Sequence, residues 1–144
     1  MSRALAAARA AGDRGEVPVG AVVVDPAGRI VAEAGNRTIE LNDPTAHAEL
    51  LAIREACAAA GSQRLSGHDL YVTLEPCPMC ATAISFARLA RVYYAAPDPK
   101  GGGVDHGPRV YAHSTCHHRP EVYGGIGEAE AAALLRDFFA QRRG

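Results

Sequence analysis

Along the 144-residue chain the spacing of apolar positions changes several times, and each change marks an element. Residues 2–12 alternate alanine and leucine with arginine and predict an amphipathic helix. The run VGAVVVD (19–25) is short, continuous and β-branched, the pattern of a buried strand. DPAG (25–28) is a turn, and RIVAEA (29–34) returns as its hairpin partner. Residues 35–44 form a loop containing Gly, Asn and Asp. The spacing predicts a helix over 45–60, closed by Gly61. DLYVTL (69–74) reads as a strand, and residues 78–88 as a helix with Pro78 in its first position. RVYYAA (91–96) is a further strand. PDPKGGGVDHGP (97–108) is a long polar loop with four glycines and three prolines. A short strand around 119–123 and a helix over 127–142 complete the order. Strands separated by helices predict a layered α/β domain with helices covering the sheet. The absence of repeats and linkers makes residues 1–144 one domain.

Composition narrows this picture. Hydrophobic residues make up 48% and charged residues 22%, as in a globular protein with one core. No apolar run approaches the ~20 residues of a membrane helix. Arg3, Arg9 and Arg14 interrupt the alanine-rich start, against a signal peptide, so a cytoplasmic location is expected. The net charge of −1 argues against a large phosphate-binding footprint, though not against a small basic patch. Four cysteines are present, Cys57, Cys77, Cys80 and Cys116. In a cytoplasmic protein a C-x-x-C is metal-binding or redox-active rather than a structural disulfide.

The chemistry gathers in two short stretches. In EPCPMC (75–80), Cys77 and Cys80 are three apart at a strand-to-helix junction and can meet one ion. The helix N-terminus favours their thiolate forms. In TAHAEL (45–50), His47 and Glu49 sit at another helix start. His47 supplies a third ligand, and no second C-x-x-C or H-x-x-x-H closes the shell. Three ligands of this type with an open position suit catalytic zinc, which activates water at neutral pH. Glu49 is then placed to take a proton and pass it to a leaving group.

The ordered set His47-Ala48-Glu49 followed by Pro76-Cys77-x-x-Cys80 resembles the signature of zinc-dependent deaminases. The chain looks like the cytidine deaminase-like superfamily and, within it, the bacterial tRNA adenosine deaminases, which convert the wobble adenosine of an anticodon to inosine. EVPVGAVVV (16–24), GNRTIELNDPTAHAE (35–49), LYVTLEPCPMC (70–80), DPKGG (98–102) and ALLRDFFAQRR (133–143) carry the likeness. It implies a three-layer α/β/α fold around a mixed five-stranded sheet, one Zn2+ per chain, a homodimer, and a tRNA anticodon stem-loop as partner. It assigns Asn36 to the base, Val19 and the His47 ring to its faces, and the Ala48 amide with Pro76 to its edge. Phe139, Arg142 and Arg143 would meet neighbouring nucleotides or phosphates. The target base must leave its stack, which a single-stranded loop allows. One segment departs from the pattern. Many members continue after the DPK lysine with a Gly-Ala-rich stretch ending in Gly-Ser, and carry an Asn-His pair before the last strand. Residues 101–122 here read GGGVDHGPRVYAHSTCHHRPEV, which adds Asp105 and His106 and puts His117 in place of the Asn.

Several positions also have plainer readings. Cys57 is a small core residue. Cys116, His117 and His118 are consecutive and point apart in an extended chain, against a second metal site. Arg142 and Arg143 complement a helix dipole, Asn36 is a turn residue, and Asp98 is either a loop cap or a nucleotide contact. His68 and His106 read as surface residues. Of Phe138 and Phe139, one is core and Phe139 the exposed contact. Three rival functions remain: a thioredoxin-like redox pair, a deaminase of a free nucleobase or nucleoside such as guanine or cytosine, and a silent zinc-binding subunit. Glu49 argues against the last.

Overall fold

The computed structural model describes residues 1–143, with only the main chain of Arg143. Its elements are α1 (Ser2–Asp13), β1 (Gly20–Val24), β2 (Ile30–Gly35), α2 (Ala48–Ala60), β3 (Asp69–Leu74), α3 (Pro78–Phe86), β4 (Arg91–Ala96), β5 (Glu121–Gly124) and α4 (Glu128–Arg143), with a single 3₁₀ turn at Val110–Ala112. The sheet runs β2-β1-β3-β4-β5. β1 is antiparallel to β2 and to β3, whereas β4 is parallel to β3 and to β5. The mixed five-stranded sheet is as expected.

α1 and α4 pack on one face of the sheet, and α2 lies against β1 and β2 on the other with α3 beside it. The main core lies under α2 and α3, where Ala48, Ala52, Ile53 and Ile84 meet Val23, Leu70, Val72 and Val92. A smaller cluster of Leu5, Ala95, Ala96 and Ala131 holds α1 and α4 to the opposite face. Alanine along α1 lets that helix approach closely. A side chain at Gly20 would put its Cβ 2.1 Å from the Ala4 carbonyl oxygen, so only glycine fits that point of β1. Across β3, β4 and β5 the register aligns Tyr71, Tyr93 and Tyr123, whose rings stack at 4.6 and 5.2 Å between centroids. Such cross-strand pairs pin register.

The boundaries differ from expectation where a local group outcompetes the helix. α2 starts at Ala48, not at 45, because Asp43 Oδ1 accepts from both the Thr45 N–H and its hydroxyl, at 2.9 and 2.7 Å. His47, at φ −74° and ψ 151°, is left as the extended residue that precedes the helix. α3 ends at Phe86, short of 88, since Arg88 adopts φ +62°. Gly61, at φ +63°, ends α2 where the pattern places it.

Candidate active site

Strand β3 ends at Leu74, Glu75 and Pro76 follow it, and the chain turns there into α3 with Cys77 as the cap residue and Pro78 as the first helical residue. α2 opens in the same way on His47. Two helix N-termini therefore present their cap residues to one point, and both dipoles favour negative charge there. His47 Nδ1 lies 3.7 Å from Cys77 Sγ and 3.6 Å from Cys80 Sγ. Zinc bonds of ~2.0–2.1 Å to nitrogen and ~2.3 Å to sulfur at a tetrahedral angle separate such donors by about 3.6 Å. The donor set thus fits zinc in both chemistry and spacing. Among the described residues it is the one His/Cys/Asp/Glu cluster able to hold a metal ion.

Hydrogen bonding to Cys80, with His47 adding to it, holds the Cys77 thiol down at about 4 against the opposing effect of burial. Cys80 is pushed up by that same bond and by its burial. The first residue of this pair to ionise is therefore Cys77.

Glu49 lies in the first turn of α2 and is only 4% exposed. Burial pushes its carboxyl up to about 7, and the neighbouring Cys77 charge adds to this. A proton acceptor with a pKa near neutrality, beside a three-donor metal site, suits general acid–base work.

Both groups face a cavity of about 290 Å³, lined also by Val17, Val19, Asn36, Thr38, Leu74, Glu75, Asp98 and Gly101. Of the residues expected at the base, Val19, Asn36 and Asp98 line this space. Asn36 is held from both sides: Oδ1 accepts from the Ala48 N–H at 2.8 Å, and Nδ2 donates to the Val17 carbonyl at 3.2 Å. The Ala48 amide is thus engaged with Asn36, and a base contact through it requires that bond to open. Pro76 is buried, and its carbonyl accepts from the Gly103 N–H at 2.8 Å, away from the cavity lining. Asp98 is a loop cap, with Oδ1 accepting from the Lys100 and Gly101 N–H groups, and a wall residue as well. Phe139 is 44% exposed, outside the cavity. Arg142 donates to the Gly15 carbonyl at 3.1 Å and lies 4.0 Å over the Phe138 ring, and Gly15 is two residues along the chain from the cavity-lining Val17. The side chain of Arg143 lies outside the described residues.

Two buried carboxylates add to the residues that the sequence patterns single out. Glu16, 2% exposed, accepts from the Ile39 and Glu40 amides and the Thr38 hydroxyl, which fixes the loop after Asn36. Glu75, also 2% exposed, accepts from four backbone amides and from His106, whose ring stays partly exposed at the surface while bonding this buried carboxylate. Burial opposes ionisation of Glu75, but these donors outweigh it and hold its pKa below the usual carboxylate value. An acid directly before Pro-Cys, at the end of an apolar strand, is the one sequence signal for it. The HSTCHH segment forms no metal site among the described residues. His118 Nε2 contacts the Leu89 carbonyl at 2.7 Å, and Cys116 donates to the His118 carbonyl.

A sheet of this order with a buried glutamate beside one His and two Cys donors, all at paired helix N-termini, defines a zinc-dependent deaminase class. The profile of the cytidine and deoxycytidylate deaminase zinc-binding region matches residues 1–96, and the chain belongs to that family. It is 60% identical over 143 residues to the tRNA-specific adenosine deaminase of Agrobacterium fabrum, covering 99% of this chain and 93% of that one. It is 46% identical over 144 residues to the enzyme of the same name from Rickettsia bellii, covering 99% of both. A solved structure from a study of A-to-I editing by tRNA:A34 deaminases at the wobble position superposes with a TM-score of 0.92 at 61% identity, covering 94% of this chain and 97% of that one.

Proposed function

We propose that this chain is a zinc-dependent hydrolytic deaminase that converts the wobble adenosine of a tRNA anticodon to inosine. The observation that carries the reading is its likeness, over almost the whole chain, to wobble-position tRNA deaminases. The site agrees with it in size. At about 290 Å³ the cavity falls just below the ~300–1,000 Å³ usual for ligand pockets, room for one extruded base and not for a duplex.

His47, Cys77 and Cys80 hold zinc, which when bound supplies Lewis-acid activation of a water. Glu49 takes the proton of the attacking water and delivers it to the amine nitrogen leaving the purine ring. Water and adenosine thereby become inosine and ammonia. Asn36 and Val19 bind and orient the base, Asn36 after exchanging a bond to Ala48 or Val17. Phe139, Arg142 and Arg143, at the end of α4, meet the flanking nucleotides.

The chain acts as one deaminase domain over 1–144 in the cytoplasm, where reducing conditions keep its cysteines as thiols; all four are free. No helix among the described residues is long and apolar enough to cross a membrane. The chain pairs with a second copy through the end of α3, where Phe86 is 76% exposed beside a groove of about 660 Å³. Light scattering tests that state.

The deciding assay incubates zinc-loaded protein with an anticodon stem-loop carrying wobble adenosine, and separately with free adenine, guanine, cytosine and their nucleosides. Inosine in the stem-loop with no ammonia from the small molecules is the expected result. Ammonia from a free base with an intact stem-loop overturns the substrate and leaves the chemistry standing.

A further inference from the structure

The first part of the segment that departs from the family pattern, up to His106, wraps around a single buried carboxylate. Glu75 Oε1 accepts from the Asp98 N–H at 3.0 Å, and Oε2 accepts from the amides of Val104, Asp105 and His106 at 3.2, 2.9 and 3.0 Å. The His106 ring returns to the same group, with Nδ1 2.7 Å from Oε1. One side chain thus ties both ends of the stretch 98–106. Between those ends lies Gly101, and with Asp98 and Glu75 it lines the substrate cavity. The loop comes so close that a Cβ at Gly102 would stand 2.4 Å from Glu75 Oε2. A second bond holds the outer side of the loop, where the Tyr94 hydroxyl donates to Asp105 Oδ2. Asp105 and His106, the two polar groups that break the family pattern, therefore both bond to the body of the domain, although Asp105 is exposed and the His106 ring half-exposed.

Because Glu75 adjoins the turn that carries Cys77 and Cys80, this arrangement fixes the loop to the frame of the metal donors. Hydrogen bonds to an ionised carboxylate are the stronger kind, and convergent backbone N–H groups form an anion cradle. We infer that Glu75 and His106 act as a latch which holds residues 98–106 as one wall of the substrate cavity, making both of them positioning residues that set how tightly the target nucleoside is held. This rests on the site described above as the substrate pocket. The latch itself touches no reacting atom.

Removing the His106 ring leaves four of the five bonds to Glu75 in place, so the chain keeps its fold and its donors while the wall loosens. One charge-assisted hydrogen bond corresponds to a factor of about ten in binding. The expected result for His106→Ala is unchanged zinc content, a KM for the stem-loop raised about tenfold, and a kcat that falls much less. Amide exchange at Val104, Asp105 and His106 speeds up in the same protein. His106→Gln, which keeps an N–H donor, restores both KM and protection. Glu75→Gln loosens the wall further; should that variant fail to fold, the His106 pair still decides. Wild-type KM and unchanged exchange in His106→Ala overturn the latch. So does a loss confined to zinc content or thermal stability, or failure of His106→Gln to rescue. If the wild-type chain ignores the stem-loop and acts on a free base, the substrate reading has failed instead. The same variants measured on that base, together with amide exchange, then judge the latch.

Discussion

Replacing Glu49 by Gln is expected to make the zinc-free protein more stable at alkaline pH while removing its activity. Glu49 is 4% exposed, and burial lifts its carboxyl from 4.5 to about 7. Raising a pKa by one makes ionisation ~1.36 kcal/mol harder, so holding this group ionised in the folded zinc-free chain costs about 3 kcal/mol. The sign follows from proton counts. Between pH 4.5 and 7 the folded chain holds a proton at Glu49 that the unfolded chain has released, so stability falls as pH rises through that window. Gln keeps the shape and removes the titration. Urea denaturation of the zinc-free proteins is therefore expected to favour Glu49→Gln by about 3 kcal/mol at pH 8, with the excess gone by pH 4.5. The zinc-loaded variant keeps its metal and loses about 10²–10⁴ in kcat, the usual contribution of a positioned acid–base. Equal stabilities at pH 8, or a gap that does not shrink on acidification, refute the burial argument. Undiminished turnover refutes the proton-transfer role.

Three further outcomes are expected. Cys80→Ser loses bound zinc, as metal analysis would show, and chelation of the wild-type protein abolishes turnover reversibly. Gly20→Ala pushes α1 off β1, because its Cβ would stand 2.1 Å from the Ala4 carbonyl oxygen, and urea denaturation is expected to show a loss of about 1–3 kcal/mol or more. Arg142→Ala raises KM for the stem-loop with little change in kcat and lowers the salt dependence of binding by about one phosphate contact; an unchanged salt slope would confine Arg142 to its bonds with Gly15 and Phe138.

Much of this molecule is legible in local patterns. β-branched and aromatic residues mark β1, β3 and β4, Pro78 marks the start of α3, and Gly61 the end of α2, since each is set by nearby backbone preferences. The metal donors are legible because C-x-x-C and H-x-E are short-range spacings. What stays hidden depends on long-range closure. Glu75 reads as one more polar residue after a strand, and its five donors come from residues 98–106. Glu16 binds a loop more than twenty positions away. His106 reads only as a surface residue because a flexible-looking glycine loop gives no hint that its ring bonds a buried carboxylate. The family likeness assigns Asn36 to the base, but nothing in its neighbourhood along the chain announces that Ala48 and Val17 hold its side chain on both sides. The start of α2 falls later than its pattern predicts because Thr45 has the composition of a helix but is claimed by Asp43.

The central claim, that this cavity deaminates adenosine at the anticodon wobble position, is tested most directly on the whole tRNA pool. Zinc-loaded protein would be incubated with total tRNA lacking inosine, and adenosine-to-guanosine changes would be read at every position by sequencing. Conversion confined to the wobble adenosine, and absent with Glu49→Gln, is the predicted result. Conversion scattered over other unpaired adenosines, or none anywhere while a free base is consumed, would contradict it.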